Sequence, residues 1–190
     1  MPEETIIFAI VILGIIGLPV VWIITMYNSL VRLKFQCRDS WSNIDTELKR
    51  RYELIPNLVE TVKGYAKHEH ETLRLVTEAR NRAVASTGSP SSQARDENIL
   101  IGSLRQLLAV SESYPDLKAS HNFLALQSEL ANTEDRIQAS RRFYNANVRD
   151  INTKIQVFPS NIIAGLFNFQ QEEFFEIENT GIRNAPQVRI

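Results

Sequence analysis

The longest apolar segment of the chain lies near its start. No charged residue occurs from Ile6 to Ile24, and a helix of this length spans roughly 28 Å, close to the hydrocarbon core of a bilayer. A core helix seldom lacks a polar face for so long. A cleavable signal peptide has a basic start and small residues at its cleavage site, whereas this segment follows Glu3 and Glu4 and leads into Tyr27. The pattern predicts a transmembrane anchor over residues 1–27.

Three basic residues follow the apolar segment, at Arg32, Lys34 and Arg38, whereas only Glu3 and Glu4 precede it. The positive-inside rule therefore predicts a single-pass protein with its amino terminus outside and its body in the cytoplasm. The three basic side chains are also the best candidates for contact with anionic lipid head groups.

The pattern in residues 28–157 changes to apolar positions three and four residues apart, which is typical of helices that pack on other helices. The first stripe comprises Trp41, Ile44, Leu48, Arg51, Ile55, Leu58, Val62 and Tyr65. A second runs from Leu73 to Ala83, and a third helix is expected from Asp96 to Val110. The last stripe comprises Leu130, Glu134, Ile137, Arg141, Tyr144, Val148, Ile151 and Ile155. These residues predict an all-α body with long helices.

The expected helix boundaries rest on turn and capping residues. Residues 86–92, with sequence STGSPSS, are expected to form a surface loop. Ser113 is a candidate cap for the helix that follows, with Pro115 in its first turn. The first stripe passes through Pro56 unbroken, and an interior proline removes a hydrogen bond and costs about 3 kcal/mol. Pro56 is therefore expected to kink one helix or to separate two, and the residues alone favour a kink because no glycine or capping residue immediately precedes Pro56.

Three charged residues, Arg51, Glu134 and Arg141, occupy positions in the apolar stripes. An unpaired ion in a core costs several kcal/mol. A contact from Arg51 or Arg141 to Glu134 is therefore expected if the stripes are buried. The alternative is that the arginine stems extend to solvent at the edge of the bundle.

Residues 158–190 differ from the body because they combine aromatic and acidic residues. Ser160 or Asn161 could cap one short helix, and the rest is expected to be an irregular tail. The tail would expose a large apolar patch in water, so it is expected to fold against the bundle or onto a neighbouring copy. The candidate contact residues are Phe167, Phe169, Phe174 and Phe175.

The sequence contains little material for catalysis. The net charge of −1 argues against a nucleic-acid partner. His68 and His70 would diverge by about 200° on a helix, unlike the i, i+4 pair of a zinc helix. The lone Cys37 cannot form an intramolecular disulfide. No phosphate-binding loop, nucleophile elbow or Cys-x-x-Cys is present, so neither an enzyme nor a cofactor or metal site is expected.

Several motifs resemble the LemA family of bacterial membrane proteins. They include Leu54-Ile55-Pro56-Asn57-Leu58, Val62-Lys63-Gly64-Tyr65, Tyr114-Pro115-Asp116-Leu117, Arg141-x-x-Tyr144-Asn145 and Phe158-Pro159-Ser160-Asn161. The resemblance covers about residues 5–176. It implies a membrane helix followed by an antiparallel four-helix bundle in the cytoplasm of a bacterium, anchored in the inner membrane. A bundle of four helices would favour a break near Pro56. The family offers no catalytic residues to transfer.

Two functions from different classes follow. The leading hypothesis is a non-enzymatic, membrane-anchored scaffold that forms homo-oligomers and organises or shapes the membrane. The alternative is an adaptor or regulatory partner of a membrane protease or stress-response system. A third hypothesis is a hydrolase that uses His68 and Glu69, which metal analysis of the purified protein would test.

Overall fold

The computed structural model describes residues 3–177, and within this range all regular structure is helical. The helices are α1 (Glu3–Tyr65), α2 (His70–Ala85), α3 (Pro90–Ser111), α4 (Pro115–Lys118), α5 (His121–Gln156) and α6 (Ser160–Leu166). The predicted all-α class is confirmed.

Helix α1 runs without interruption from the apolar segment through Pro56 to Tyr65. The break at Pro56 that the family resemblance implied is therefore wrong, because Pro56 lies within one helix. The apolar segment and the first stripe are parts of the same helix. The stripe is buried from Ile44 to Val62, but the expected last position, Tyr65, is exposed and the following Ala66 is buried instead.

Several predicted boundaries need correction. Helix α3 starts at Pro90, so the loop expected over residues 86–92 is shorter than predicted. Pro90 lies in the first turn of α3, where the missing N–H group of a proline costs no helical hydrogen bond. Pro115 occupies the first turn of α4 as predicted, but the residue that precedes the helix is Tyr114, so Ser113 does not cap it. Ser160 is the first residue of α6, and its hydroxyl donates to the carbonyls of Lys154 and Val157 rather than capping the helix.

The described residues group into two compact units. Unit 1 comprises residues 3–40 and 146–172, and unit 2 comprises residues 41–145 and 173–177. The predicted boundaries after residues 27 and 157 follow hydropathy and composition, whereas the units follow packing, so the two divisions describe different properties of the chain.

Each unit has its own apolar core. In unit 2 the stripe positions Ile55, Leu58 and Val62 pack with residues from α2, α3, α4 and α5, among them Val76, Leu107, Leu117 and Phe123. In unit 1 Leu30 of α1 packs with Ile163 and Ala164 of α6. In both units the core side chains are those that the helical spacing brings to one face.

Candidate functional site

A buried ion cluster lies in unit 2 around Arg51, whose side chain is 2% exposed. Its guanidinium contacts the carboxylate of Glu97, which is 1% exposed. A second guanidinium nitrogen donates to Glu134 Oε2 at 2.9 Å, and the hydroxyl of Tyr52 donates to the other oxygen of Glu97. Arg51 Nε has no hydrogen-bond partner within residues 3–177. The cluster joins α1, α3 and α5 through charged groups.

Burial governs the protonation of this cluster. Burial raises the pKa of the Glu97 carboxyl, and the charge of Arg51 and the hydrogen bond from Tyr52 oppose that rise only in part. Burial also raises the pKa of Tyr52, as does the adjacent carboxylate of Glu97. The Tyr52 hydroxyl therefore keeps its proton and acts as a donor. This network of buried charged and polar groups joins three helices.

The cluster contains two of the three charged residues that the stripes single out. The structure places Arg51 against Glu134, but Arg141 lies elsewhere and donates to the carbonyl of Ile177 at 2.7 Å. Glu97 was missed. It lies three residues before Leu100 and seven before Leu104, both buried, so extending the third stripe backward would have found it.

A second polar constellation in unit 2 binds the main chain of residues 173–177, which form neither helix nor strand. Asn145 donates through Nδ2 to the carbonyl of Phe175 at 3.1 Å and accepts through Oδ1 from the N–H of Phe175 at 3.0 Å. The Tyr144 hydroxyl donates to the carbonyl of Glu173 at 2.8 Å. Arg141 donates to the carbonyl of Ile177, so three side chains of α5 bind the main chain at every second residue of the segment, at positions 173, 175 and 177. We call Arg141, Tyr144 and Asn145 the clamp.

The side chains of residues 174–177 alternate between exposed and buried, as they do along a strand. Phe175 is completely buried and Ile177 is buried, whereas Phe174 and Glu176 are exposed. The ring of Phe175 meets that of Trp41 edge-on with centroids 5.2 Å apart, a favourable aromatic geometry. The segment is thus bound both by its backbone and by alternate apolar side chains.

The exposed Glu173 also has partners within unit 2. Its carboxylate accepts a hydrogen bond from the Ser91 hydroxyl at 2.6 Å. Hydrogen bonds from Ser91 and Ser89, together with the nearby Arg95, lower the pKa of Glu173. Glu173 therefore keeps its negative charge.

The four phenylalanines proposed as oligomer contacts divide between the two units. Phe167 and Phe169 lie in unit 1, with ring centroids 4.7 Å and 6.0 Å from that of Tyr27. Phe174 and Phe175 lie in unit 2. In unit 1 the main chain of Glu172 is also held by an asparagine, since Asn152 donates to its carbonyl and accepts from its N–H, both at 2.8 Å.

Polar contacts in unit 1 join the part of α1 that follows the apolar segment to the end of α5. Lys154 donates to the Ser29 hydroxyl at 2.7 Å, and Asn147 donates to the Ser40 hydroxyl at 3.1 Å. Cys37 lies between Ser29 and Ser40 in the sequence, and its side chain is buried. Burial raises the pKa of the Cys37 thiol to about 11, and the charges of Glu172 and Asp150 add to this rise. The membrane-proximal basic residues Arg32, Lys34 and Arg38 are exposed.

Residues with metal-ligating side chains do not converge in the described range. Among residues 3–177 no group of three or more His, Cys, Asp or Glu side chains could hold a metal ion. His68 lies in the turn before α2, and His70 is the first residue of that helix; both are exposed. Glu69 accepts a hydrogen bond from the Tyr114 hydroxyl at 3.2 Å.

Helix α1 is the one described helix that is long and apolar enough to cross a membrane, with a mean hydropathy of 2.9 in its most apolar window. Its large apolar side chains from Ile6 to Ile24 are mostly exposed. Exposed apolar surface of this length is expected of a helix that faces lipid.

Comparison with known families matches residues 40–190, which include Arg51, the clamp and the segment that it binds, to the LemA family. The chain belongs to the LemA family. Protein LemA of Metamycoplasma hominis is 28% identical over 166 residues, which cover 83% of this chain and 75% of that protein. Magnetosome protein MamQ 2 of Paramagnetospirillum magneticum is 26% identical over 180 residues, covering 82% of this chain and 66% of the relative. Magnetosome protein MamQ of Magnetospirillum gryphiswaldense is 24% identical over 180 residues with the same coverage.

These similarities confirm the resemblance drawn from the sequence motifs. This LemA-family chain spans about two thirds of the length of the MamQ relatives. Together with the apolar part of α1, the family and its magnetosome relatives support a membrane-associated helical protein.

Proposed function

We propose that this LemA-family protein is a non-enzymatic, membrane-anchored scaffold that self-associates and, by assembling, organises or shapes the membrane. The apolar part of α1 serves as the anchor in a single pass. The exposed Arg32, Lys34 and Arg38 support an orientation with the helical body in the bacterial cytoplasm, and they contact anionic head groups. The magnetosome relatives support a role at a membrane.

The observation that carries self-association is the way in which the clamp binds residues 173–177. The clamp contacts only the main chain of the segment, Phe175 packs on Trp41, and the Glu173 carboxylate accepts a hydrogen bond from Ser91. Contacts of this kind do not depend on the covalent connection between α5 and the segment. A second copy therefore offers the same segment to the same clamp, and the exchange of an identical element is a low-cost route to an oligomer.

Anchoring favours the exchange because it holds the copies in one membrane and raises their effective concentration. The segment is also suited to exchange because it has no regular structure of its own to unfold. In the oligomer the segment of one copy occupies the clamp of the next, and a chain of such contacts builds a membrane-bound assembly.

Complementation between two variants tests the proposal. The full chain is purified in detergent and its mass is measured by light scattering. Phe175→Ala removes the buried anchor of the segment and leaves the clamp intact, and a buried Phe→Ala change costs about 3–5 kcal/mol. Asn145→Ala removes the paired hydrogen bonds and leaves the segment intact. Each variant alone should have a lower mass than the wild-type assembly. A mixture of the two should form a dimer, in which the intact segment of Asn145→Ala occupies the intact clamp of Phe175→Ala.

The matched controls are Phe174→Ala and Asn132→Ala, which change an exposed phenylalanine of the segment and an exposed asparagine of α5. Both should keep the wild-type mass, and circular dichroism checks that every variant remains helical. A free peptide of residues 168–177 should also dissociate the wild-type assembly, whereas the same peptide with Phe175→Asp should not. A monomeric wild type would contradict self-association itself. A wild-type assembly that neither variant nor peptide alters would place the contact elsewhere.

Membrane organisation is tested by imaging vesicles that contain the reconstituted protein. The wild type should cluster or deform the vesicles, and the Asn145→Ala variant should lose this effect while it remains membrane-bound. Smooth vesicles with evenly dispersed wild-type protein would contradict the membrane-shaping part of the proposal.

A further inference from the structure

The end of α5 and the whole of α6 form an uncharged stretch within unit 1. No charged side chain occurs from Ile155 to Gln171, between Lys154 and Glu172. Many of the side chains in this stretch are large and apolar. One part of this stretch packs on α1, and another part is exposed.

The inner face of α6 packs on the part of α1 at the end of its apolar segment. Ile163 and Ala164 are buried against Leu30, and the same cluster includes Trp22, Ile23 and Met26 of α1. Trp22 lies inside the uncharged segment that begins at Ile6, and Trp and Tyr side chains are enriched where a membrane helix leaves the bilayer. The packing thus brings α6 beside the point where α1 leaves the hydrocarbon core.

Several large apolar side chains of the same stretch are exposed. Phe158 is 78% exposed and Leu166 is 71% exposed, and Val157, Ile162 and Phe167 are exposed as well. Moving one such side chain from water into an apolar phase is worth about 1.5–3 kcal/mol. Five exposed large apolar side chains within eleven residues indicate an interaction site.

Main-chain hydrogen bonds close both ends of α6, which lowers the cost of placing the helix in a non-aqueous environment. At its start the N–H groups of Asn161 and Ile162 bond to the carbonyls of Val157 and Pro159. At its end Asn168 adopts a positive φ of 54° and donates to Gly165, and the N–H of Phe169 donates to Ala164 at 2.9 Å. This is a Schellman motif, which closes the helix and turns Phe169 back toward α1.

We propose that residues 157–167 are a second membrane contact, whose exposed apolar side chains insert into the boundary between head groups and acyl chains beside α1. The ligand is the lipid bilayer. The observations favour lipid over a protein because α6 packs directly on the apolar segment that is predicted to span the bilayer, and because charged residues are absent from the stretch. Short interfacial helices bind membranes through buried apolar area in this way. The contact does not use residues 173–177 and does not require self-association.

Site-specific fluorescence tests the contact in the full chain. In a Cys37→Ala background, Leu166→Cys is labelled with an environment-sensitive dye and the protein is reconstituted into vesicles of neutral and anionic phospholipids. Phe143→Cys is the matched control, since Phe143 is also an exposed apolar residue but lies in unit 2. Quenching is measured with nitroxide-labelled lipids and with iodide in water.

The label at residue 166 should show blue-shifted emission, a large loss of emission with lipids that carry the nitroxide near the head group, and little loss with iodide. The label at residue 143 should show the reverse. Quenching at residue 166 by iodide would place α6 in water, and protection from both quenchers would show that protein covers it. Either result would overturn the proposal. Because both substituted side chains are exposed, neither change should alter the fold, and Ile162→Cys provides an independent second position.

Discussion

At the scale of single residues, the most constrained side chain is Arg51, because a buried cation depends on its counterions. Glu97 is as buried as Arg51, whereas Glu134 is 34% exposed and can be hydrated without a partner. Removal of one member of a buried pair leaves the other charge uncompensated, which costs more than the pair contributes. Arg51 and Glu97 therefore depend on each other far more than either depends on Glu134.

Arg51→Met should lower the free energy of unfolding by about 3–5 kcal/mol, because Glu97 is left buried without a cation. The triple change Arg51→Met, Tyr52→Phe and Glu97→Leu should recover most of this loss, since it removes all three buried polar groups together. Arg50→Met, at an exposed neighbouring position, is the control and should have little effect. Denaturant unfolding in detergent, followed by circular dichroism, measures the differences. A triple variant no more stable than Arg51→Met would contradict the mutual dependence.

The thiol of Cys37 should react slowly with alkylating reagents because only the thiolate is nucleophilic. Burial raises its pKa from 9.0 to about 11, and each pKa unit is a factor of about ten in the thiolate population. At pH 8 the folded chain should therefore react at least about a hundredfold more slowly with iodoacetamide than the chain unfolded in detergent and urea. The rate should continue to rise toward pH 11 in the folded chain and level near pH 9 in the unfolded one. Equal rates at pH 8 would show that the thiol is accessible and unshifted.

At the scale of helices, α1 remains continuous at Pro56 because another helix supplies the missing donor. Proline has no N–H, so the carbonyl four residues earlier, that of Tyr52, loses its helical partner. The Nε group of Arg80 on α2 donates to this carbonyl at 3.0 Å. The defect created by proline in one helix thus becomes a contact between two helices.

A double-mutant cycle on Pro56 and Arg80 isolates this contact. In the wild-type background, Arg80→Ala should cost about 1–3 kcal/mol because the Tyr52 carbonyl is left without a donor. In a Pro56→Ala background the helix restores its own hydrogen bond, so Arg80→Ala should cost clearly less. The measurement is the free energy of unfolding of the four proteins. Equal costs in the two backgrounds would show that Arg80 acts through some other interaction.

The apolar stripes could be predicted because the spacing of apolar residues reports directly which face of a helix is buried. The path through Pro56 could not, because Arg80 belongs to a different helix and looks like any surface arginine in the sequence. Glu97 was within reach of the pattern. The clamp was not, because Asn145 binds main-chain atoms and therefore requires no particular residue in the segment that would reveal the pairing.

At the scale of the whole molecule, the proposed orientation in the membrane rests on the difference in charge between the two flanks of the apolar part of α1. Arg32→Glu, Lys34→Glu and Arg38→Glu together should place part of the population in the opposite orientation, because positive residues close to a membrane helix set its topology. Lys49→Glu, Arg50→Glu and Lys63→Glu make the same change in charge farther from the apolar segment and are the control. Labelling of a cysteine at the exposed position His68 with a membrane-impermeant reagent, in intact cells and in opened cells, measures the fraction inverted. An unchanged orientation of the first variant would contradict the charge-based topology.

The contacts of unit 1 also determine when the molecule can mature during synthesis. Ser40 and Ser29 form hydrogen bonds with residues that lie 107 and 125 positions further along the chain. Leu30 packs on Ile163 and Ala164, which are also made much later. While the ribosome makes the intervening helices, the part of α1 around Leu30 has uncovered apolar side chains, which chaperones and proteases recognise in unfinished proteins. Completion of α6 ends that exposure. Nascent chains stalled before residue 146 should therefore be degraded far faster than those released after residue 172, so that the cell retains only molecules whose synthesis has passed the last membrane-proximal contact.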